Sequence, residues 1–163
     1  MKVISLLALS ILSIAASAAI ASEGGNTTGG VPNPAAVICL EKGGQSEMYT
    51  SERGSSDYFC RFDRAIIGEW TLWYALKDRE NIQIAVDMFL KHPNRDVNIG
   101  NGGANPASLY CKKVGGRTEY YEGRNGTMGV CTFPDKSEIE EWTLYVGPSV
   151  EGNGKLADVL GEK

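Results

Sequence analysis

Imidazole is nearly missing from this chain: one histidine, His92, stands among 163 residues. A catalytic site centred on histidine, or a histidine-rich metal site, has almost nothing to draw on. Positive charge is also scarce. Lysine and arginine total 16 against 20 aspartates and glutamates, a formal net charge of −4. That balance argues against a surface built to track phosphates, so nucleic acid is not expected as a partner. No run after Ala21 is long and apolar enough to cross a bilayer. The cysteines show none of the short C-x-x-C or H-x-x-x-H spacing of a structural zinc site. What remains is a globular composition, 42% hydrophobic and 22% charged, with 20 glycines. It suits a packed, turn-rich core rather than disorder.

The first 21 residues read as a signal peptide. Met1-Lys2 is a minimal basic start, Val3 to Ala21 is small or apolar, and Ala19-Ile20-Ala21 fits a small-x-small cleavage site. A mature chain starting at Ser22 is therefore expected to be secreted or periplasmic, with no transmembrane segment. Residues 22–32 read as a mobile leader rich in glycine, threonine and asparagine.

Export changes the meaning of Cys39, Cys60, Cys111 and Cys131. An even count in an oxidising compartment reads as two disulfides. The gaps of 21 and 20 residues expose an internal repeat. Laying Asn33 over Asn105, an offset of 72, aligns Asn33-Pro34-Ala35 with Asn105-Pro106-Ala107 and Cys39 with Cys111. Gly43-Gly44 then falls on Gly115-Gly116, and Glu47 and Tyr49 on Glu119 and Tyr121. After one deletion Cys60 and Phe62 meet Cys131 and Phe133. A compensating insertion puts Glu69-Trp70-Thr71-Leu72 on Glu141-Trp142-Thr143-Leu144. The chain is a tandem repeat, with modules at 33–77 and 105–147. Repetition of the spacing pairs Cys39 with Cys60 and Cys111 with Cys131.

Each unit reads as α+β, in the order helix, hairpin, helix. Asparagine before proline caps a short first helix, which a glycine ends. Ser46 to Thr50 and Tyr58 to Phe62 carry strand-like content, and Asn125-Gly126 is a hairpin-turn signal. Ile67, Trp70 and Tyr74, like Ile139, Trp142 and Val146, recur at i, i+3 and i+7 and predict a second helix. Ser137 and Glu140 supply a capping box for it, and the tryptophans read as core. A unit this small gains about 3 kcal/mol from its own disulfide on the chain-entropy model. Residues 78–104 read as a linker. Within it, Arg79 to Lys91 reads as a helix with Ile82, Ala85, Val86, Phe89 and Leu90 on its apolar side, and Asn98 to Ala104 as a flexible joint. Residues 148–163 read as a polar, frayed tail.

The pattern Asn-Pro-Ala, Cys, Gly-Gly, Cys-x-Phe, Glu-Trp, clearest in "NPASLYCKKVGG" and "GVCTFPDKSEIEEW", resembles the bacterial domain of unknown function 333, in both copies. The resemblance implies a small exported or lipid-anchored protein, of a family often labelled haemolysin-like. No cysteine lies at the cleavage region to carry a lipid. Family members commonly carry a further cysteine where this chain has Ile67 and Ile139, so a second disulfide per unit is not expected.

No nucleophile–base constellation is legible, so the chain is expected not to be an enzyme and to need no cofactor or metal. Glu140 and Glu141 are adjacent and would point apart on a helix. His92 reads as a solvated residue at a helix end. The candidate binding residues are those duplicated side by side: Glu69, Trp70, Glu141 and Trp142. Asn26 and Asn125 begin glycosylation sequons that matter only in a eukaryotic host. The expectation is a non-catalytic binding or envelope protein, whose partner is another protein or an envelope ligand. A membrane-acting toxin and an inhibitor of extracellular proteases are the alternatives.

Overall fold

The asparagine–proline pairs act as the sequence suggests. In the computed structural model, which describes residues 32–78, 81, 83–93 and 103–161, Asn33 Oδ1 accepts from Ala35 N–H at 3.1 Å and starts helix α1 (Pro34–Glu41). The expected signal peptide, Asn26 and most of the glycine-rich joint lie outside the described residues. So do Arg79, Glu80 and Ile82.

The glycine pair that ends α1 has two distinct duties. Gly43 takes a left-handed φ of 74°, a conformation open to glycine at little cost. Gly44 instead lies against the sulfurs. A Cβ there would stand 2.4 Å from Cys60 Sγ and 3.0 Å from Cys39 Sγ. The disulfides are Cys39–Cys60 and Cys111–Cys131, each with Cα atoms 5.6 Å apart. The pairing read from the repeat spacing is the one formed.

A hairpin of β1 (Gln45–Ser51) and β2 (Ser56–Phe62) follows, and then a strand the sequence reading lacks, β3 (Ala65–Gly68). Helix α2 (Glu69–Lys77) begins only after it, and α3 (Ile84–Lys91) precedes the second unit. That unit repeats the order: α4 (Pro106–Lys113), β4 (Arg117–Gly123), β5 (Gly126–Thr132), β6 (Glu138–Glu140) and α5 (Glu141–Val146). Helix α6 (Gly154–Gly161) comes last.

The expected helix–hairpin–helix units joined by a linker are therefore corrected. Three antiparallel strands from each repeat close one six-stranded barrel in the order β1-β2-β3-β6-β5-β4. The cause lies in Ile66-Ile67: β-branched residues buried on both faces form a short apolar run, and such a run has no period that distinguishes strand from helix. The supposed stripe is thus split. Ile67 and Ile139 are buried strand residues, while Trp70 and Trp142 lie on helices and are 48% and 46% exposed. The capping box is also replaced. Glu140 itself caps α5, accepting from Trp142 N–H at 2.9 Å and Thr143 N–H at 2.6 Å.

Helices cover one face of the sheet. Cys60, Ile67, Cys131 and Ile139 pack with Leu72, Phe89, Tyr110, Leu144 and Leu156 from the helices. Tyr49, Phe59, Ile66, Tyr121, Met128 and Val130, all from strands, form a second cluster on the opposite face, inside the barrel. Neither the linker nor the tail is loose where described. Ala85, Val86 and Phe89 of α3 are buried, and Ala85 N–H donates to Ser137 Oγ at 2.9 Å. Leu156 and Val159 of α6 are buried, against the frayed tail that the composition of residues 148–163 suggests. Asn153 Nδ2 also holds Thr143 O and Gly147 O at 3.2 and 2.9 Å. Among the described residues no helix is long and apolar enough to cross a membrane.

Candidate ligand-binding site

Of the four residues singled out by duplication, the acids and the tryptophans part company. Glu141, first residue of α5, is 2% exposed. Its carboxylate accepts from Asn105 Nδ2 and Ser108 Oγ, both at 2.6 Å, and from Thr118 Oγ1 at 3.3 Å. Asn105 meanwhile caps α4 through its oxygen, so this glutamate ties α4, α5 and β4 together. Gly129 makes room for it, since a Cβ there would meet Glu141 Cδ at 2.5 Å.

Glu69 occupies the same niche in the first repeat with poorer partners. Ala36 stands where the second repeat has Ser108, and both Glu69 oxygens are buried without a hydrogen bond. Burial pushes its carboxyl above the ordinary range. The Ser46 hydroxyl moderates that shift from nearby, short of hydrogen-bond geometry. The duplicated glutamates are thus fixtures of the fold.

The tryptophans face outward over crevices. Trp142 lines one of about 600 Å³ together with Tyr49, Arg61, Arg64, Tyr120 and Asn125. Its ring is braced edge-on by Tyr145 at 5.7 Å. Arg61 is already committed there, with Nε and Nη2 each 2.8 Å from the Glu47 carboxylate and Nη2 2.8 Å from Tyr49 Oη. Arg61 in turn holds the Glu47 carboxyl below its usual range, while burial raises the Tyr49 phenol. Arg64 differs. It is exposed and makes no ion pair among the described residues. Glu140 and Glu141 also line this crevice, but their oxygens are occupied by the hydrogen bonds above.

Trp70 lines a second crevice of about 440 Å³ with Tyr74, Gln83, Asp135 and Lys136, and is braced by Trp73 at 5.7 Å. Asp135 is spent on Ile84 N–H at 2.7 Å and on Ser137. Burial would raise its carboxyl, but those bonds hold it below the ordinary range. Lys136 is exposed and makes no ion pair among the described residues. Sequence reasoning missed Arg64 and Lys136, although the offset of 72 places one on the other and Asp63 on Asp135.

Two more residues stand apart from their expected roles. His92 is half-buried rather than solvated, with Nε2 2.8 Å from Tyr145 O and its ring against Gly147. Glu138 lies inside the barrel opposite Asp57 and Glu119. Burial, then those two charges, pushes its carboxyl up to about 7. Nothing in the repeat marks it, since its counterpart is Ile66. Asn125 is an exposed turn residue at the rim of the Trp142 crevice. Among the described residues no group of three or more His, Cys, Asp or Glu side chains is arranged to hold a metal.

One family model, described as a domain of unknown function (DUF333), matches the chain twice, at residues 30–75 and 102–147. No curated protein and no solved structure matches.

Proposed function

Because the chain belongs to the DUF333 family, with one family unit in each half of the barrel, we propose that it is an exported, non-catalytic binding protein whose ligand seats against Trp142. The observation that carries this reading is the crevice itself: a braced, half-exposed indole beside a guanidinium with no ion pair among the described residues, in a concavity of about 600 Å³. That volume suits a small ligand, and a half-exposed indole offers it a flat apolar face. Two disulfides support a working place outside the reducing cytosol, in line with the signal-peptide reading of residues 1–21.

The test is a thermal-shift screen of the chain from Ser22 onward against soluble saccharides, peptides and metabolites, with Trp142→Ala in parallel. The binding reading expects a ligand that raises the melting temperature of the parent and not of the variant. The same preparation is applied to dye-loaded liposomes and to a panel of extracellular proteases. Dye release would favour the membrane-acting toxin, and stoichiometric inhibition the inhibitor. Either result overturns the reading.

A further inference from the structure

The two crevices share a tryptophan and a cation at equivalent repeat positions, and each is assembled from both repeats. Trp142 sits on α5 of the second repeat, and the cation facing its crevice, Arg64, belongs to the β2–β3 turn of the first. Trp70 sits on α2 of the first repeat, and its cation, Lys136, belongs to the β5–β6 turn of the second. Arg64 and Lys136 are equivalent by the 72-residue offset, as are the tryptophans. The barrel therefore presents two related copies of one arrangement, an indole face beside one cation that makes no ion pair among the described residues.

Resting on the binding reading above, we propose that these crevices are twin subsites for an acidic saccharide, each stacking one sugar ring and pairing with one carboxylate. A tryptophan braced by a neighbouring aromatic offers a fixed, flat apolar face, which suits the C–H face of a pyranose. Amide and phenol groups around it, Asn125 and Tyr120 in one crevice and Gln83 and Tyr74 in the other, suit sugar hydroxyls. One cation per subsite matches one carboxylate, and a polyphosphate would demand more. The other charged groups of the crevices are spent: Arg61 on Glu47, Glu141 on Asn105 and Ser108, and Asp135 on Ile84 and Ser137. A net charge of −4 also disfavours long polyanions. Volumes of about 600 and 440 Å³ admit a short oligosaccharide rather than a single ion.

The experiment titrates the intact chain with trigalacturonate, its neutral methyl ester and inorganic phosphate, read by tryptophan fluorescence and calorimetry. The acid is expected to bind with two sites per chain, at least tenfold more tightly than the ester, and phosphate to cause no fluorescence change. Arg64→Gln and Lys136→Gln should each abolish one site, whereas Arg64→Lys should keep both. Equal affinity for acid and ester, binding of phosphate as tight as that of the acid, or no response to any of the three overturns the proposal. A non-saccharide ligand from the thermal-shift screen that depends on Trp142 would overturn it too. That last result leaves the binding reading standing, so the two failures are distinguishable.

Discussion

Ile67 and Ile139 pair with each other across the junction of β3 and β6, and both are fully buried. They are equivalent residues of the two repeats, so the repeats meet there as the halves of a two-fold dimer would. The hydrogen bonds around them are reciprocal. Ile66 N–H donates to Thr143 Oγ1 at 3.0 Å, and Glu138 N–H donates to Thr71 Oγ1 at 2.8 Å. On the other side of the barrel β1 and β4 join with Thr50 opposite Glu122, again equivalents.

It follows that a single repeat has two open strand edges and half a core. A fragment of residues 105–147, oxidised, should either associate into a two-fold dimer or show no cooperative melt, because exposed edges seek partners. Analytical ultracentrifugation with thermal melts at several concentrations decides this. A concentration-independent, cooperative monomer would contradict the shared barrel.

The unequal niches of Glu69 and Glu141 predict opposite responses to matched substitutions. Ala36→Ser should give Glu69 the donor that Ser108 gives Glu141, stabilising by about 1 kcal/mol at neutral pH. Ser108→Ala should destabilise by about 1–3 kcal/mol. Glu69 has a raised folded pKa, so its cost appears as pH rises above the unfolded value. The Ala36→Ser gain should accordingly shrink towards pH 4, as measured by urea unfolding.

Glu138 gives a second pH signature. Its folded carboxyl titrates near 7 against an ordinary 4.5, so the native state holds a proton that the unfolded state has released. Stability contributed by this site is lost as pH rises from about 4.5 to 7. Glu138→Gln should remove that loss and be more stable than the parent at pH 7.5, with little difference at pH 4. Comparing parent and variant cancels the opposite trend of Glu47 and Asp135, whose carboxyls are held low. Parallel pH profiles of the two proteins would refute the assignment.

Exposure of the tryptophans sets a third expectation. Trp142→Ala should cost under about 2 kcal/mol because half the indole is already in water. Leu144→Ala, two residues along the same helix and fully buried, should cost about 2–5 kcal/mol. Chemical denaturation of the two variants side by side checks the order, and a reversal would place the indole in the core.

Much of the local structure is legible in the sequence because it is set by local chemistry. The asparagine caps, the glycine stops and the two disulfides follow from residue type and spacing, and all appear as read. The hairpin turn is displaced slightly, with Arg124-Asn125 at its tip and Gly126 already in β5 at a positive φ. The third strand and the barrel closure are another matter. Four residues of β3 are too few to show a period, and their partner, β6, lies some 70 positions away. Trp70 and Trp142 fall at helical spacing from Ile67 and Ile139 only because a strand and a helix abut there. Their exposure depends on that junction.

The most direct measurement of the shared barrel uses its central pair. In the double variant Ile67→Cys, Ile139→Cys, facing residues of adjacent antiparallel strands stand about 4.5–5.5 Å apart at Cα, within reach of a disulfide. Non-reducing peptide mapping of the oxidised monomer should recover a crosslink between positions 67 and 139 alongside the native Cys39–Cys60 and Cys111–Cys131 bonds. Two free thiols at those positions, or crosslinks only between separate chains, would mean that the repeats do not close a common barrel.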